Sequence, residues 1–337
     1  MTPAAAPGAP LVSVVVPTRD RIASLRACLA SMAGMRSAGA VEVLVVDDGS
    51  RDGGAAAAAA IRDTVPAARL LRQRPRGPAA ARNLALGHAS GEFIAFTDDD
   101  CVVGRRWLPE LLRGFDDAGV AGVGGRVRAT GRDVVSRYMD YVHGLDPALL
   151  PNGQPWYLVT ANVCFRRRDL AALGGFDETF PTGAAEDVDL SLRLIARGRR
   201  LAFRPSARVR HEYDRSLESF VGRFYRYGRG GRRLFDKHRV WREWPPDPLE
   251  WARELLAGAN GHDRRYRDIE SATERQWFAA LGRLEVLMFL LGYCRVSSSA
   301  GVPGMPQARG HAARGAARAP DHDALGGIAA LMASGHA

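Results

Sequence analysis

An open α/β architecture, with parallel strands covered by helices on both faces, is what this sequence predicts, on three observations. Val12 to Val16 is a short β-branched run that stops at Pro17, and Val41 to Val46 is a second that stops at Asp47-Asp48-Gly49-Ser50. Near-continuous apolar runs of this length suit strands buried on both faces. Between them Ile22, Leu25, Cys28, Leu29 and Met32 recur at helical spacing, which gives a strand, helix, strand unit. A further apolar run, Glu92 to Phe96, leads straight into Thr97-Asp98-Asp99-Asp100. Ligand groups in open α/β sheets gather at the C-terminal ends of the strands, so Asp47, Asp48 and Asp98 to Asp100 are expected on one edge.

The remaining elements follow in order. The alanines Ala55 to Ala60 favour a helix over a linker. Arg69 to Leu71 reads as a third strand, and Pro78 to about Ala89 as the helix before the fourth. The second half is less regular: a helix near Trp107 to Phe115, a strand near Val120 to Val127, and a Pro/Gly-interrupted stretch around Pro147 to Pro155, expected to supply a second pocket wall. Val188, Leu192 and Ile195 restore helical spacing, with Glu186, Asp187 and Asp189 in the first turn. The helix dipole favours carboxylates there, so capping alone explains some of them. A short strand, Ala207 to Arg210, precedes His211. We divide the chain into a flexible start (1–10), a catalytic domain (11–213, with halves 11–100 and 101–213), a helical extension (214–296) and a disordered tail (297–337) rich in Ser, Gly, Ala, Pro and Arg.

Bulk properties narrow the function. With 337 residues, 46% of them hydrophobic, the chain can bury a sizeable core. Its longest bulky apolar run, Val286 to Leu291, falls short of the roughly 20 residues that span a bilayer, so no transmembrane helix is predicted. The start lacks a secretory pattern, and a cytoplasmic location is expected. Cys28, Cys101, Cys164 and Cys294 are too scattered for a zinc knot or disulfide framework and read as free thiols. The net charge of +10 could attract phosphate, anionic lipid or nucleic acid, yet 46 of the 47 basic residues are arginine, which reads as compositional bias; no nucleic-acid partner is expected. The single lysine, Lys237, suits neither a Walker A loop nor a Schiff base.

The run Asp98-Asp99-Asp100 carries the sharpest chemical signal. Carboxylates are hard ligands, and a Mg²⁺ or Mn²⁺ ion held by one or two of them with phosphates at its other positions is a recurrent arrangement. An acidic turn capping the next helix is the alternative. Several further segments stand in one order: Val14 to Asp20, Val45 to Ser50, Gly77-Pro78 through Ala81-Arg82-Asn83, Thr97 to Asp100, Asn162 to Arg167, Gly174-Gly175-Phe176-Asp177, Glu186 to Leu190, Arg193 and His211-Glu212. This ordered set, over roughly residues 11 to 213, resembles a family 2 glycosyltransferase.

The resemblance implies a GT-A fold, a Rossmann-like nucleotide-binding half within a mixed central sheet, here followed by a C-terminal helical extension. It implies an inverting transfer of a sugar from a nucleotide-diphospho-sugar donor to an acceptor hydroxyl, which could be lipid-linked, with Mn²⁺ or Mg²⁺ as cofactor; the chain lacks the Gln-x-x-Arg-Trp signature and predicted membrane helices of processive synthases, so a non-processive transfer is expected. Cell-envelope glycan, glycolipid or natural-product glycoside synthesis would be the setting. Residue by residue, Asp48 would face the nucleotide base, with Pro17, Thr18 and Arg19 shaping that pocket, while an Asx-type turn is the plainer role for Asp47 and Asp48. Arg82 would face the nucleotide or form a helix-surface salt bridge. Asp98 would lie toward ribose and metal, and Asp100 on the metal. His211 would complete the metal shell or be structural. Asp187 is the candidate base, with Glu186 competing, because adjacent helical residues point in different directions. Asn162, Gly175, Phe176 and Asp177 would mark the acceptor and sugar region.

Phe220, Phe224 and Tyr227 share one predicted helical face with Arg223 and Arg226 beside it. The segment could lie on the inner face of the plasma membrane or pack on the catalytic core. Two other classes fit worse: a sugar nucleotidyltransferase would need a Gly-rich loop and a catalytic lysine, and a non-catalytic nucleotide-sugar binder has no use for the acidic pair at 186–187. No Gly-x-Gly-x-x-Gly follows the first strand, which disfavours a dehydrogenase.

Overall fold

The computed structural model describes residues 11–36, 39–150, 152–180, 183–213, 216–238 and 266–295. The expected flexible start and disordered tail lie outside them. An eight-stranded mixed sheet organises the chain, in the order β3-β2-β1-β4-β7-β6-β8-β5. Its first half comprises β1 (Val12–Thr18), β2 (Val41–Asp47), β3 (Arg69–Arg72) and β4 (Phe93–Phe96), all parallel, interleaved with α1 (Ile22–Ala33), α2 (Ala55–Thr64) and α3 (Pro78–His88). The pleat divides these strands between two cores. Val14, Val16, Val43, Val45 and Ala95 pack under α1 and α2, whereas Val15, Leu44, Val46, Ile94 and Phe96 pack under α3. This two-sided burial is why the strands are apolar throughout.

The second half adds β5 (Cys101–Val103), α4 (Trp107–Leu112), β6 (Val120–Ala129), α5 (Val134–Tyr141), β7 (Val163–Arg166), α6 (Arg167–Leu173), α7 (Glu186–Ile195) and β8 (Arg200–His211). β7 runs antiparallel to both β4 and β6, and β8 lies parallel to β6 with register shifts near Gly122 and Arg126. Sequence periodicity found neither β5 nor β7, each too short to show a pattern, and it saw only the last third of β8. In β8, Arg and Pro residues on exposed positions interrupt the apolar signal.

Two helices complete the described chain, α8 (Leu217–His238) and α9 (Ala272–Arg295). The apolar face of α8 is not lipid-facing: Phe220 and Phe224 are buried with Tyr138, Tyr213, Phe278 and Leu281 between α5, α8 and α9. The sequence predicts no transmembrane helix; among the described residues Ala272–Cys294 is long and apolar enough to cross a membrane by length and composition alone, at a mean hydropathy of 1.4. Counting only uninterrupted apolar residues hid it, because Arg283 and Glu285 break the run. A buried core helix passes the same test, and one third of this span is buried.

Glycines let α8 and α9 touch backbone to backbone. A Cβ at Gly228 would strike the Phe289 carbonyl oxygen, and one at Gly292 the Tyr225 carbonyl oxygen. Gly228→Ala should therefore destabilise the protein by about 1–3 kcal/mol, the usual scale of overpacking. Gly222→Ala, whose added methyl meets only the flexible end of Arg226, should change the melting temperature little. Thermal unfolding of the two variants checks the contrast.

Candidate active site

The C-terminal ends of β1, β2 and β4 form one edge, and their loops are tied together before any ligand is considered. Asp20, at φ 54°, accepts from the Arg51 amide at 2.8 Å and donates its own amide to Ser50 Oγ at 3.0 Å, joining the loops after β1 and β2. Asp47 accepts from Ser50 and sits 3.3 Å from Arg72 Nε, an Asx-type turn as one reading expected. Asp48 is also engaged: Oδ1 accepts from Gln73 Nε2 at 2.7 Å and the Arg76 amide at 2.9 Å, and Oδ2 from the Gly77 amide at 2.9 Å. It thereby shapes the turn into α3, where Gly77 takes φ 91° and Pro78 opens the helix. Pro17 is half-buried within β1, and Arg19 is exposed in the loop beyond it.

The three acids after β4 face different partners. Asp98 Oδ1 lies 3.0 Å from Arg82 Nη2, whose other nitrogen, Nη1, lies 2.7 Å from Glu186 Oε1. Arg82 and Glu186 are both buried, so one guanidinium joins the acid cluster of the first half to that of the second. Asp99 accepts from Thr18 Oγ1 at 2.7 Å and pairs with Arg21 at 3.2 Å. Burial dominates there and pushes its carboxyl up to about 7, against the pull of Arg21 and Thr18. Asp100 pairs with Arg21 Nη2 at 2.6 Å and lies 3.3 Å from His211 Nε2. Burial opposes its ionisation, but His211 and Arg21 hold it below the ordinary carboxylate range. β5 and β8 bring these residues together, pairing Cys101 with His211.

Asp100 and His211 fit a hard or borderline divalent cation. With the neighbouring Cys101 sulfur, their donor atoms all lie within 4.8 Å of one another. Burial depresses the His211 pKa, which favours the neutral imidazole a metal needs, and its Nδ1 is buried without a protein partner. Burial also keeps the Cys101 thiol protonated, so it is no ligand for Mn²⁺ or Mg²⁺. Asp98 is turned to Arg82 rather than into this cluster. A cavity of about 300 Å³ opens beside Asp100, lined also by Ser24, Ala27, Val102, Thr130 and Glu212. A larger one, about 490 Å³, lies between α5 and α9 and touches none of the predicted site residues.

At the start of α7 the two adjacent acids diverge. Glu186 points inward to Arg82, leaving Oε2 unpaired. Asp187 keeps partial solvent access; its Oδ2 accepts from the Thr160 amide at 3.3 Å and its Oδ1 from the Val188 amide at 2.9 Å. Desolvation, with Glu186 adding repulsion, pushes its carboxyl up to about 7 even though Arg82 and the two amides oppose the shift.

The residues expected around the acceptor serve structural contacts. The Asn162 amide is buried, accepting from Trp107 Nε1 at 2.8 Å and donating to the carbonyls of Arg126 and Ala207, each at 2.9 Å. Gly175, at φ 78°, packs on Asn83, and the Phe176 amide donates to Asn83 Oδ1 at 2.8 Å. The Phe176 ring underlies Arg82, 5.7 Å from its guanidinium carbon. Asp177 pairs with Lys237 at 2.7 Å.

Two cations escaped sequence reasoning. Arg21 neutralises Asp99 and Asp100; its place one residue before α1 on the same sheet edge was the available signal. Arg223, on the edge of a helix face read as meeting either membrane or core, lies over the Tyr213 ring at 5.0 Å, hydrogen-bonded to Tyr227, with its charge felt at Asp100. Only the packing of α8 reveals that direction.

The model of the family described as glycosyl transferase family 2 matches residues 13–173. The succinoglycan biosynthesis protein ExoM of Rhizobium meliloti (strain 1021) is 31% identical over 214 residues, covering 60% of this chain and 69% of that protein. A pre-mycofactocin glycosyltransferase of Mycobacterium tuberculosis (strain ATCC 25618 / H37Rv) is 35% identical over 239 residues, or 67% of this chain and 48% of its own length. The chain belongs to glycosyl transferase family 2. It spans about half the length of the mycobacterial relative.

Among solved structures, the mannosyltransferase PcManGT from Pyrobaculum calidifontis, in complex with GDP-Man and Mn²⁺, superposes with a TM-score of 0.61 at 21% identity, covering 86% of this chain and 89% of that one. S. aureus TarS 1–349 gives 0.50 at 17% identity, covering 86% and 91%. These likenesses show the GT-A fold that the sequence motifs implied.

Proposed function

We propose that this chain transfers a sugar, with inversion and one residue per encounter, from a nucleotide-diphospho-sugar to an acceptor hydroxyl in cell-envelope glycan, glycolipid or natural-product glycoside synthesis. The observation that carries this reading is the Asp98–Arg82–Glu186 bridge, which sets the acids of the donor half beside those of α7. The names of the two relatives, one a glycosyltransferase and one a succinoglycan biosynthesis protein, support the reaction class and the setting.

Asp100 and His211 would hold Mn²⁺ or Mg²⁺, which when bound supplies charge stabilisation for a departing diphosphate. Arg223, whose charge is felt at Asp100, adds fixed positive charge on the same side. Asp187 would take the acceptor hydroxyl proton as its oxygen attacks the anomeric carbon; the carbon–oxygen bond to phosphate then breaks, and its electron pair leaves with the nucleoside diphosphate. Glu186, committed to Arg82, serves better as an anchor than as a base. A panel of nucleotide-sugars with Mn²⁺ or Mg²⁺, read first by thermal protection and then by product formation, tests the reading. Protection by no nucleotide-sugar with either ion would end it. The anomeric configuration of the product, determined by NMR, tests inversion.

Peripheral membrane association, in this reading, belongs to α9 and not to α8. Trp277, Leu287 and Leu291 are exposed on α9, whereas the α8 aromatics are covered. Leu287→Glu combined with Leu291→Glu should lower recovery with anionic liposomes, measured by co-sedimentation; unchanged recovery would remove the membrane contact.

A further inference from the structure

The chain carries one lysine among 47 basic residues, and it stands where three parts of the fold meet. Lys237 Nζ lies 2.6 Å from Asp189 Oδ1 and 2.7 Å from Asp177 Oδ2, and 5.8 Å from the centre of the Phe180 ring. Asp189 is completely buried; the same oxygen meets His238 Nε2 at 2.7 Å, and its other oxygen accepts from Arg193 Nε at 2.8 Å. The last turn of α8 is thus fastened to the first turn of α7 and to the segment after Gly175.

We propose that Lys237 is a positioning residue that holds the first turn of α7, and through it Asp187, in the geometry transfer requires. This inference rests on the functional reading given above. Three observations carry it. The start of α7 is weakly self-supporting: Ala185 is left-handed at φ 70° and no side chain caps the helix. α8 braces that start at two points. One is Gly230, where a Cβ would sit 2.5 Å from the Ala184 carbonyl oxygen, and the other is the Lys237–Asp189 contact.

The third observation is chemical. An ammonium is a compact charge with three donors spread in three dimensions, so it can serve two carboxylates and a ring face from one point. A guanidinium is longer and presents its donors in one plane. In a chain where arginine fills every other basic position, lysine stands at the place whose geometry excludes arginine.

The experiment compares Lys237→Met, Lys237→Arg and wild-type protein acetylated after folding. Because Lys237 is the only lysine, acetylation reaches it and the α-amino group alone, and peptide mass spectrometry confirms the site. Each change should lower kcat by on the order of 10- to 10²-fold while the donor KM moves less than about twofold, the pattern of a displaced catalytic group. Amide hydrogen exchange across residues 184–190 should rise in step. Wild-type kcat in Lys237→Arg, or unaltered exchange across 184–190 after acetylation, would overturn the proposal. The acetylated sample answers even where a variant fails to fold. If exchange responds but the wild-type protein transfers nothing from any nucleotide-sugar, the functional reading fails and the fastening of α7 stands.

Discussion

Asp187→Asn is expected to lower sugar transfer by about 10²- to 10⁴-fold, the usual contribution of a positioned general base, with metal-dependent donor binding retained. The amide is nearly isosteric, and its single carbonyl oxygen can keep the shorter bond from the Val188 amide at the loss of the longer one from Thr160, so the start of α7 should largely persist. What it loses is the ability to take a proton. Because enclosure raises the Asp187 carboxyl to about 7, the base is largely protonated, and idle, at more acidic pH. Wild-type transfer should therefore increase as pH rises through about 7, and the residual activity of the asparagine variant should lack that limb. Rates measured between pH 5.5 and 8.5, with donor affinity followed in parallel, decide the point. An unchanged rate in Asp187→Asn would move the role to Glu186 or remove it from both.

Asp100→Ala is expected to abolish metal-dependent donor binding along with transfer, a loss of more than about 10²-fold given that even outer-shell partners of metal ligands are worth 10- to 10²-fold. Of the two side chains placed to hold the ion, it is the charged one; His211 alone supplies a single neutral donor. Adding EDTA should bring the wild-type protein down to the variant in a thermal-protection assay with donor, and restoring Mn²⁺ should rescue only the wild type. The substitution also removes one of the two buried carboxylates paired with Arg21 and the acid whose charge reaches Arg223. Arg21 is half exposed and can turn to solvent, while Arg223 is enclosed, so some loss of stability is expected as well. Circular dichroism of the variant separates that loss from the binding defect, which should exceed it.

Much of the first half was legible from the residues alone, because burial on both faces imposes a pattern that periodicity detects. Val12 to Val16, Val41 to Val46 and Phe93 to Phe96 all fall in strands, and the helical spacing from Ile22 to Met32 falls in α1. The acids at 98–100 and 186–187 could be named from motif order, but not their division of labour. That Glu186 turns inward and Asp187 outward depends on the helix phase set by Ala185. That Asp98 meets Arg82 while Asp100 meets His211 depends on which strands flank β4 and β5. Asn162 and Phe176 make contacts that no motif announces: one secures Trp107 and two strand carbonyls, the other supports Arg82. The aromatic face of α8, which the sequence left open to lipid or core, is covered by α5 and α9, because amphipathicity records that a face is covered without recording by what.

The pairing of β5 with β8 sets Cys101 opposite His211, partners 110 positions apart in the chain. Such a contact can close only late, after the long intervening loop has been ordered by its own strands. During synthesis the aspartates follow Arg21 and Arg82, their guanidinium partners, but emerge well before the imidazole of His211. A ribosome-bound fragment ending near residue 130 would thus carry the acidic turn with its arginines but only half of the Asp100–His211 pair, and assembly of the catalytic centre would report completion of the whole sheet.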